Sequence, residues 1–103
     1  MLDRLAMLRQ MVARQPSDPF PRYGLGMELK KRGDHDDAWR VFSELIGEHP
    51  GYVAAYLMTG NLLETMGRTD EAREVYTQGM RVASAAGDDH TRSELETARS
   101  GLA

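Results

Sequence analysis

Apolar residues recur along this chain at intervals of three and four, and no stretch of useful length alternates apolar with polar as a half-buried strand does. Leu5, Leu8, Met11 and Val12 form the first stripe, on a segment over about 2–14 that stops before Pro16, a residue that cannot continue a helix. A second segment opens with Asp18 placed to cap free N–H groups and Pro19 suited to the first turn, and runs to about residue 32, where Gly33 can take a left-handed closing conformation. The third spans about 36–49 and closes at Pro50-Gly51, and the fourth spans about 53–66 and ends at Gly67. A fifth begins near Asp70 and fades at Gly87. The sixth begins near Asp89 or Thr91, where Thr91 and Glu94 have capping-box spacing, and runs towards Leu102. Six amphipathic helices predict an all-α fold.

The helices repeat. Displaced by 34 residues, Pro16 falls on Pro50, Gly26 on Gly60, Leu29 on Leu63, Gly33 on Gly67, Ala38 on Ala72 and Val41 on Val75, while Phe42 meets Tyr76. Turn residues and small residues in register mean that one helix-turn-helix is built twice. Gly26 with Ala38, and Gly60 with Ala72, sit where two helices approach closely, and Leu29, Phe42, Leu63 and Tyr76 fill the space around them. Under the same displacement Leu5 aligns with Trp39, Leu8 with Phe42 and Val12 with Ile46, so the first helix has the pattern of the second half of a pair.

These residues resemble the tetratricopeptide-repeat family. The first copy supplies Leu25, Gly26, Leu29, Gly33, Ala38, Phe42 and Pro50, and departs from the family pattern at Arg22, where a bulky apolar residue is usual. The second supplies Tyr56, Gly60, Leu63, Gly67, Ala72 and Tyr76, and departs at Thr59, Gly79 and Ser84. The resemblance implies antiparallel helix pairs stacked as a short right-handed α-solenoid in a single domain over 1–103. Its parts are a half-repeat cap at 1–15, repeats at 19–52 and 53–86, and a capping helix at 89–102. Leu25, Gly26, Leu29, Ala38, Phe42, Tyr56, Gly60, Leu63, Ala72 and Tyr76 are the expected packing residues.

Composition narrows the chemistry. Hydrophobic residues make up 41% and charged residues 28% of 103 residues, the balance of one folded domain. The formal net charge of -3 and the lack of a basic block speak against nucleic acid, and no apolar run reaches membrane length. The alternation of Leu or Met with Arg over 1–14 has the look of a transit peptide, but it carries Asp3 and little serine, so a structural helix is expected. With no cysteine, disulfides and thiolate chemistry are excluded, and the expected location is cytoplasmic. Asp34-His35-Asp36-Asp37 is the one dense set of candidate metal ligands, and it reads as a helix-helix turn; His49 and His90 read as surface residues. No serine stands in a nucleophile elbow and no glycine motif would cradle phosphate, so neither catalytic residues nor a cofactor or metal are expected. Trp39 is expected to pack against the first helix near Leu5.

In proteins that resemble this one, the first helices of successive pairs line a concave surface that holds ligand peptides. Here those helices carry a second stripe, with Tyr23, Met27, Lys30 and Lys31 on one and Leu57, Met58, Asn61 and Glu64 on the other. These eight are the candidate partner-binding residues. Lys30 and Lys31 are expected at one end and Glu64 near the other, and Tyr23 and Leu57 are expected to tolerate truncation without loss of fold. One subfamily clamps acidic chaperone tails with Lys and Asn, but this chain has Tyr23, Met27 and Met58 at the corresponding positions and only Arg92 as a basic candidate, so that ligand is disfavoured. The expected function is a protein-interaction module that takes a peptide or helix of a partner. The alternative is a structural role through a homodimer, favoured by the apolar Leu2, Leu5, Leu8, Met11 and Val12 of the first helix. An enzyme or metal protein is the least favoured class.

Overall fold

The structure is a computed structural model and describes residues 3–103; Leu2 of the first apolar stripe lies outside them. Among the described residues there are six helices: α1 (Arg4–Arg14), α2 (Pro19–Lys31), α3 (His35–Glu48), α4 (Ala54–Thr65), α5 (Thr69–Ala85) and α6 (Asp89–Ser100). They stack into a helical solenoid 43 Å long and 19 Å thick. Asp18 caps α2 through the Phe20 N–H at 3.0 Å, as its placement before Pro19 predicts. Asp3 does the same for α1 through the Ala6 N–H at 2.8 Å. At α6 the expected capping box is not the one that forms. The cap is Asp88, whose carboxylate accepts from the Thr91 N–H at 3.0 Å and the Thr91 hydroxyl at 2.7 Å. An aspartate three residues before Thr91 satisfies the free N–H groups first.

Two kinds of connection alternate along the chain until its last turn. Gly33, Gly67 and Gly87 take φ of 82°, 75° and 72°, a region that favours glycine. Around each, the residue after the glycine donates its N–H back into the helix: Asp34 to Leu29, Arg68 to Leu63 and Asp88 to Ala83, at 2.8–3.0 Å. The connections before α2 and α4 instead run through Pro16 and Pro50, with Asp18 N–H bonded to the Gln15 carbonyl and Tyr52 N–H to that of His49. The α5–α6 turn is thus of the glycine kind that joins α2 to α3 and α4 to α5. A long α5 of 17 residues carries α6 back along itself and closes the stack.

Two apolar clusters fill the interior. One gathers Leu8, Leu25, Leu29, Ala38, Phe42 and Leu62, and the other Tyr56, Leu63, Ala72, Tyr76, Ala83 and Leu95. Gly26 lies under the Phe42 ring and Gly60 under the Tyr76 ring, the close approaches that the 34-residue register predicts. Gly79 is a third, set against Tyr56 and Leu95. Trp39 packs with both clusters, and the Arg68 guanidinium of the α4–α5 turn lies 4.7 Å from its ring centroid. It therefore bridges the two pairs rather than serving α1 alone.

The departures from the repeat pattern have physical solutions. The Arg22 side chain is only 11% exposed; its guanidinium pairs with Glu48 and donates to the Pro16 carbonyl at 2.8 Å. One repeat later the Tyr56 hydroxyl donates to the Pro50 carbonyl at 2.5 Å. Positions 22 and 56, and 16 and 50, are related by the 34-residue displacement, so two unlike side chains make one tie. Buried Thr59 satisfies its hydroxyl on the Ala55 carbonyl at 2.6 Å. Glu28, buried where the next repeat has Leu62, meets Arg4 at 3.1 Å and Arg32 at 3.2 Å, and Arg4 stands where α3 has Ala38. An ion pair thus joins α1 to α2 at positions where α3 and α4 use apolar contact.

Candidate functional site

The stripe on α2 begins one turn earlier than the pattern of apolar residues indicates. Phe20, in the first turn between Pro19 and Pro21, is 68% exposed and shares its side of the helix with Tyr23, Met27 and Lys30. The sequence reading missed it; the signal was the three- and seven-residue spacing to Tyr23 and Met27. Tyr23 is half-buried, its ring tilted against Phe42 at 6.2 Å and Tyr52 at 5.5 Å between centroids. Burial, then the Tyr52 hydroxyl, raises the pKa of the Tyr23 phenol. Met27 and Met58 are half-buried and pack against the first cluster, and Leu57 against the second. These residues are the rim of the core: Tyr23 and Leu57 each have one side in the interior and one side outward.

On α4, Asn61 and Glu64 both stand against the Tyr76 hydroxyl, whose single proton serves one of them at a time. That hydroxyl stands 2.7 Å from the Asn61 Oδ1 and also within hydrogen-bonding distance of the Glu64 carboxylate. Burial, the bond to Glu64 and the Glu64 charge push the Tyr76 phenol pKa far up. Asn61 keeps its amide N–H groups for another acceptor. Lys30 and Lys31 end α2, Glu64 ends α4, and both helices run the same way, so all three stand at one end; the expected separation is corrected. Beyond α4, Leu57 floors a cleft of about 380 Å³ shared with His90, Ser93, Glu94, Thr97 and Ala98 of α6. Sequence reasoning gave α6 only a capping role and missed these five. The face so assembled has an aromatic end at Phe20, Tyr23 and Tyr52, a thioether middle and a charged end. It presents apolar surface and hydrogen-bonding groups along one side of α2, α4 and α6.

The other sequence candidates lie elsewhere. Asp34 is the N-cap residue of α3 and His35, Asp36 and Asp37 form its first turn, where Asp37 pairs with Arg40 at 3.0 Å. Among the described residues no three His, Asp or Glu side chains gather as a metal-binding group, and no helix is long and apolar enough to cross a membrane. Arg92 faces away from the α4–α6 cleft and pairs with Glu96 at 3.2 Å.

Stacked helix pairs with glycines at each crossing define a helical-repeat protein. The family profile for the tetratricopeptide repeat matches residues 29–86, and the chain belongs to that family. It is 26% identical over 88 residues to a TPR repeat-containing protein of Pseudomonas aeruginosa, across 85% of this chain and 84% of the relative. A tetratricopeptide repeat domain protein of Salinibacter ruber, solved in solution, is 40% identical with a TM-score of 0.78, covering 82% of this chain and 85% of that one. In fold alone it is also similar to a Bordetella parapertussis protein, at 23% identity and a TM-score of 0.82 over 96% of this chain and 86% of that one.

Proposed function

We propose that this chain is a non-catalytic cytoplasmic adaptor, with repeats at 19–52 and 53–86, that holds a peptide or helix of a partner protein across α2, α4 and α6. The observation that carries this reading is Phe20, a large aromatic side chain left 68% exposed at the head of a stripe whose other members are half-buried. Exposed aromatics beside a structured floor are the side chains that anchor partners. Met27, Met58 and Leu57 supply adaptable apolar contact, Asn61 hydrogen bonds, and Lys30, Lys31 and Glu64 the charged end. The absence of cysteine fits a reducing compartment. The test is capture of partners from native lysate by the chain and by Phe20→Ala. The variant should melt within about 2 °C of the parent, since a mostly exposed side chain adds little stability. Loss of a buried anchor costs about 2 kcal/mol of affinity, roughly 30-fold. Equal capture by both proteins would remove Phe20 as the anchor.

A second reading, a homodimer through α1, is favoured by Met7 and Met11, which are 50% and 42% exposed on that helix. Sedimentation at micromolar concentration separates the two readings, since a monomer at all concentrations excludes the dimer.

A further inference from the structure

On the side of α6 away from Leu57, a shallow, open cleft of about 470 Å³ runs between α5 and α6, lined by Thr77, Met80, Arg81, Ser84, Arg92 and Arg99. Three arginines, a threonine and a serine line it and no carboxylate does, in a chain whose net charge is -3. The arginines of this chain mostly meet carboxylates: Arg4, Arg22, Arg32, Arg40, Arg68, Arg73 and Arg92 all do. Arg9, Arg14, Arg81 and Arg99 make no such pair among the described residues; Arg81 and Arg99 line this cleft, and Arg81 also borders a neighbouring one beside Glu74. Arg99 is held in place by a hydrogen bond from its guanidinium to the Thr77 hydroxyl at 3.1 Å, which leaves its other N–H groups to donate.

We propose that the α5–α6 cleft binds a phosphate monoester. Three positive groups, one of them partly offset by Glu96, match a dianion better than a single carboxylate. Planar guanidinium forks suit a group with three terminal oxygens, and the Ser84 hydroxyl adds a donor, while that of Thr77 is spent on the Arg73 carbonyl at 2.9 Å. The cleft holds far more than one phosphate, and Met80 gives the rest an apolar wall, so the phosphoryl group arrives on a larger molecule. This site is separate from the α2–α4–α6 face and stands or falls independently of it.

The test uses ¹⁵N-labelled full chain at constant ionic strength, reading the arginine Nε–H resonances during titration with inorganic phosphate, O-phosphoserine, a phosphoserine pentapeptide and acetate. Saturable shifts at Arg81, Arg92 and Arg99 are expected with the phosphates, and weaker response to acetate. The tighter of O-phosphoserine and the pentapeptide shows whether the source is a small ester or a phosphorylated chain. Arg81→Gln, at an exposed position, should weaken binding about tenfold, and Arg81→Gln with Arg99→Gln further. Arg9→Gln with Arg14→Gln, which removes the same charge from α1, should leave it unchanged. Non-saturating shifts, acetate binding as tight as phosphate, or undiminished binding in Arg81→Gln would each overturn the proposal.

Discussion

Adding one methyl group at Gly26 probes the closest helix approach in the first pair. A Cβ there would lie 2.5, 2.7 and 2.8 Å from Cε1, Cδ1 and Cζ of Phe42. Carbon atoms pack best at about 3.5–4.0 Å, so the ring or the helix must give by roughly 1 Å. Phe42 is 0% exposed and Leu29 2%, so the ring has no open space to enter. Overpacking of this kind costs about 1–3 kcal/mol, and three ring atoms meeting one carbon put Gly26→Ala in the upper part of that range. Replacing glycine inside a helix returns about 1 kcal/mol of propensity. The net loss is roughly 1–2 kcal/mol, about 5–10 °C in melting temperature for a chain of this size. Gly47→Ala is the matched control: it lies in α3, its Cβ would meet nothing within 4 Å, and it should gain about 0.5 kcal/mol. Phe42→Leu should cost less in the Gly26→Ala chain than in the parent, because the smaller side chain also relieves the clash. Thermal unfolding followed by circular dichroism reads the parent and the four variants. If Gly26→Ala melts at or above the parent, the crossing is looser than the geometry states and the argument from register fails.

Arg22→Ala should lower stability by about 1–2 kcal/mol by severing the ties to Glu48 and the Pro16 carbonyl, and Arg22→Tyr should recover part of it by repeating the bond of Tyr56 to Pro50; thermal melts decide, and an unaffected Arg22→Ala refutes the tie. The Thr91 backbone N–H and hydroxyl hold the Asp88 carboxyl below the usual carboxylate range. Its stabilising effect is therefore complete above that range and disappears as the pH falls through the depressed value. Asp88→Ala should melt below the parent at neutral pH and converge with it by about pH 2; a gap that stays constant across the range contradicts the cap.

The fold was legible because register carries it. Glycine at 26 and 60 with an aromatic at 42 and 76 states a contact twice, and turn glycines at 33 and 67 state where helices end. Position 22 was not legible in this way, since a pattern that expects bulk says nothing about a guanidinium reaching a carbonyl six residues back. Glu28 was equally hidden: a carboxylate on an amphipathic helix reads as surface until Arg4 and Arg32 are seen beside it. Of the candidate face, sequence places the side chains of α2 and α4 along one stripe of each helix, but spacing shows which side of a helix a residue takes, not what stands opposite. Phe20 lies between two prolines whose pattern signals helix initiation rather than a surface stripe, and α6 carries too few apolar residues to signal more than an end.

The tie from position 22 or 56 to the proline carbonyl uses unlike chemistry in the two repeats. At the first junction Arg22, Arg4 and Glu28 add charge to the apolar contact of Leu8; at the second, a phenol and apolar side chains hold the helices. Dissolved salt screens the former and leaves the latter intact. A linear stack joined by rivets of two metals corrodes from one end, and this chain, in rising salt, should begin to fray at α1 while the pair α4–α5 keeps its protection against hydrogen exchange.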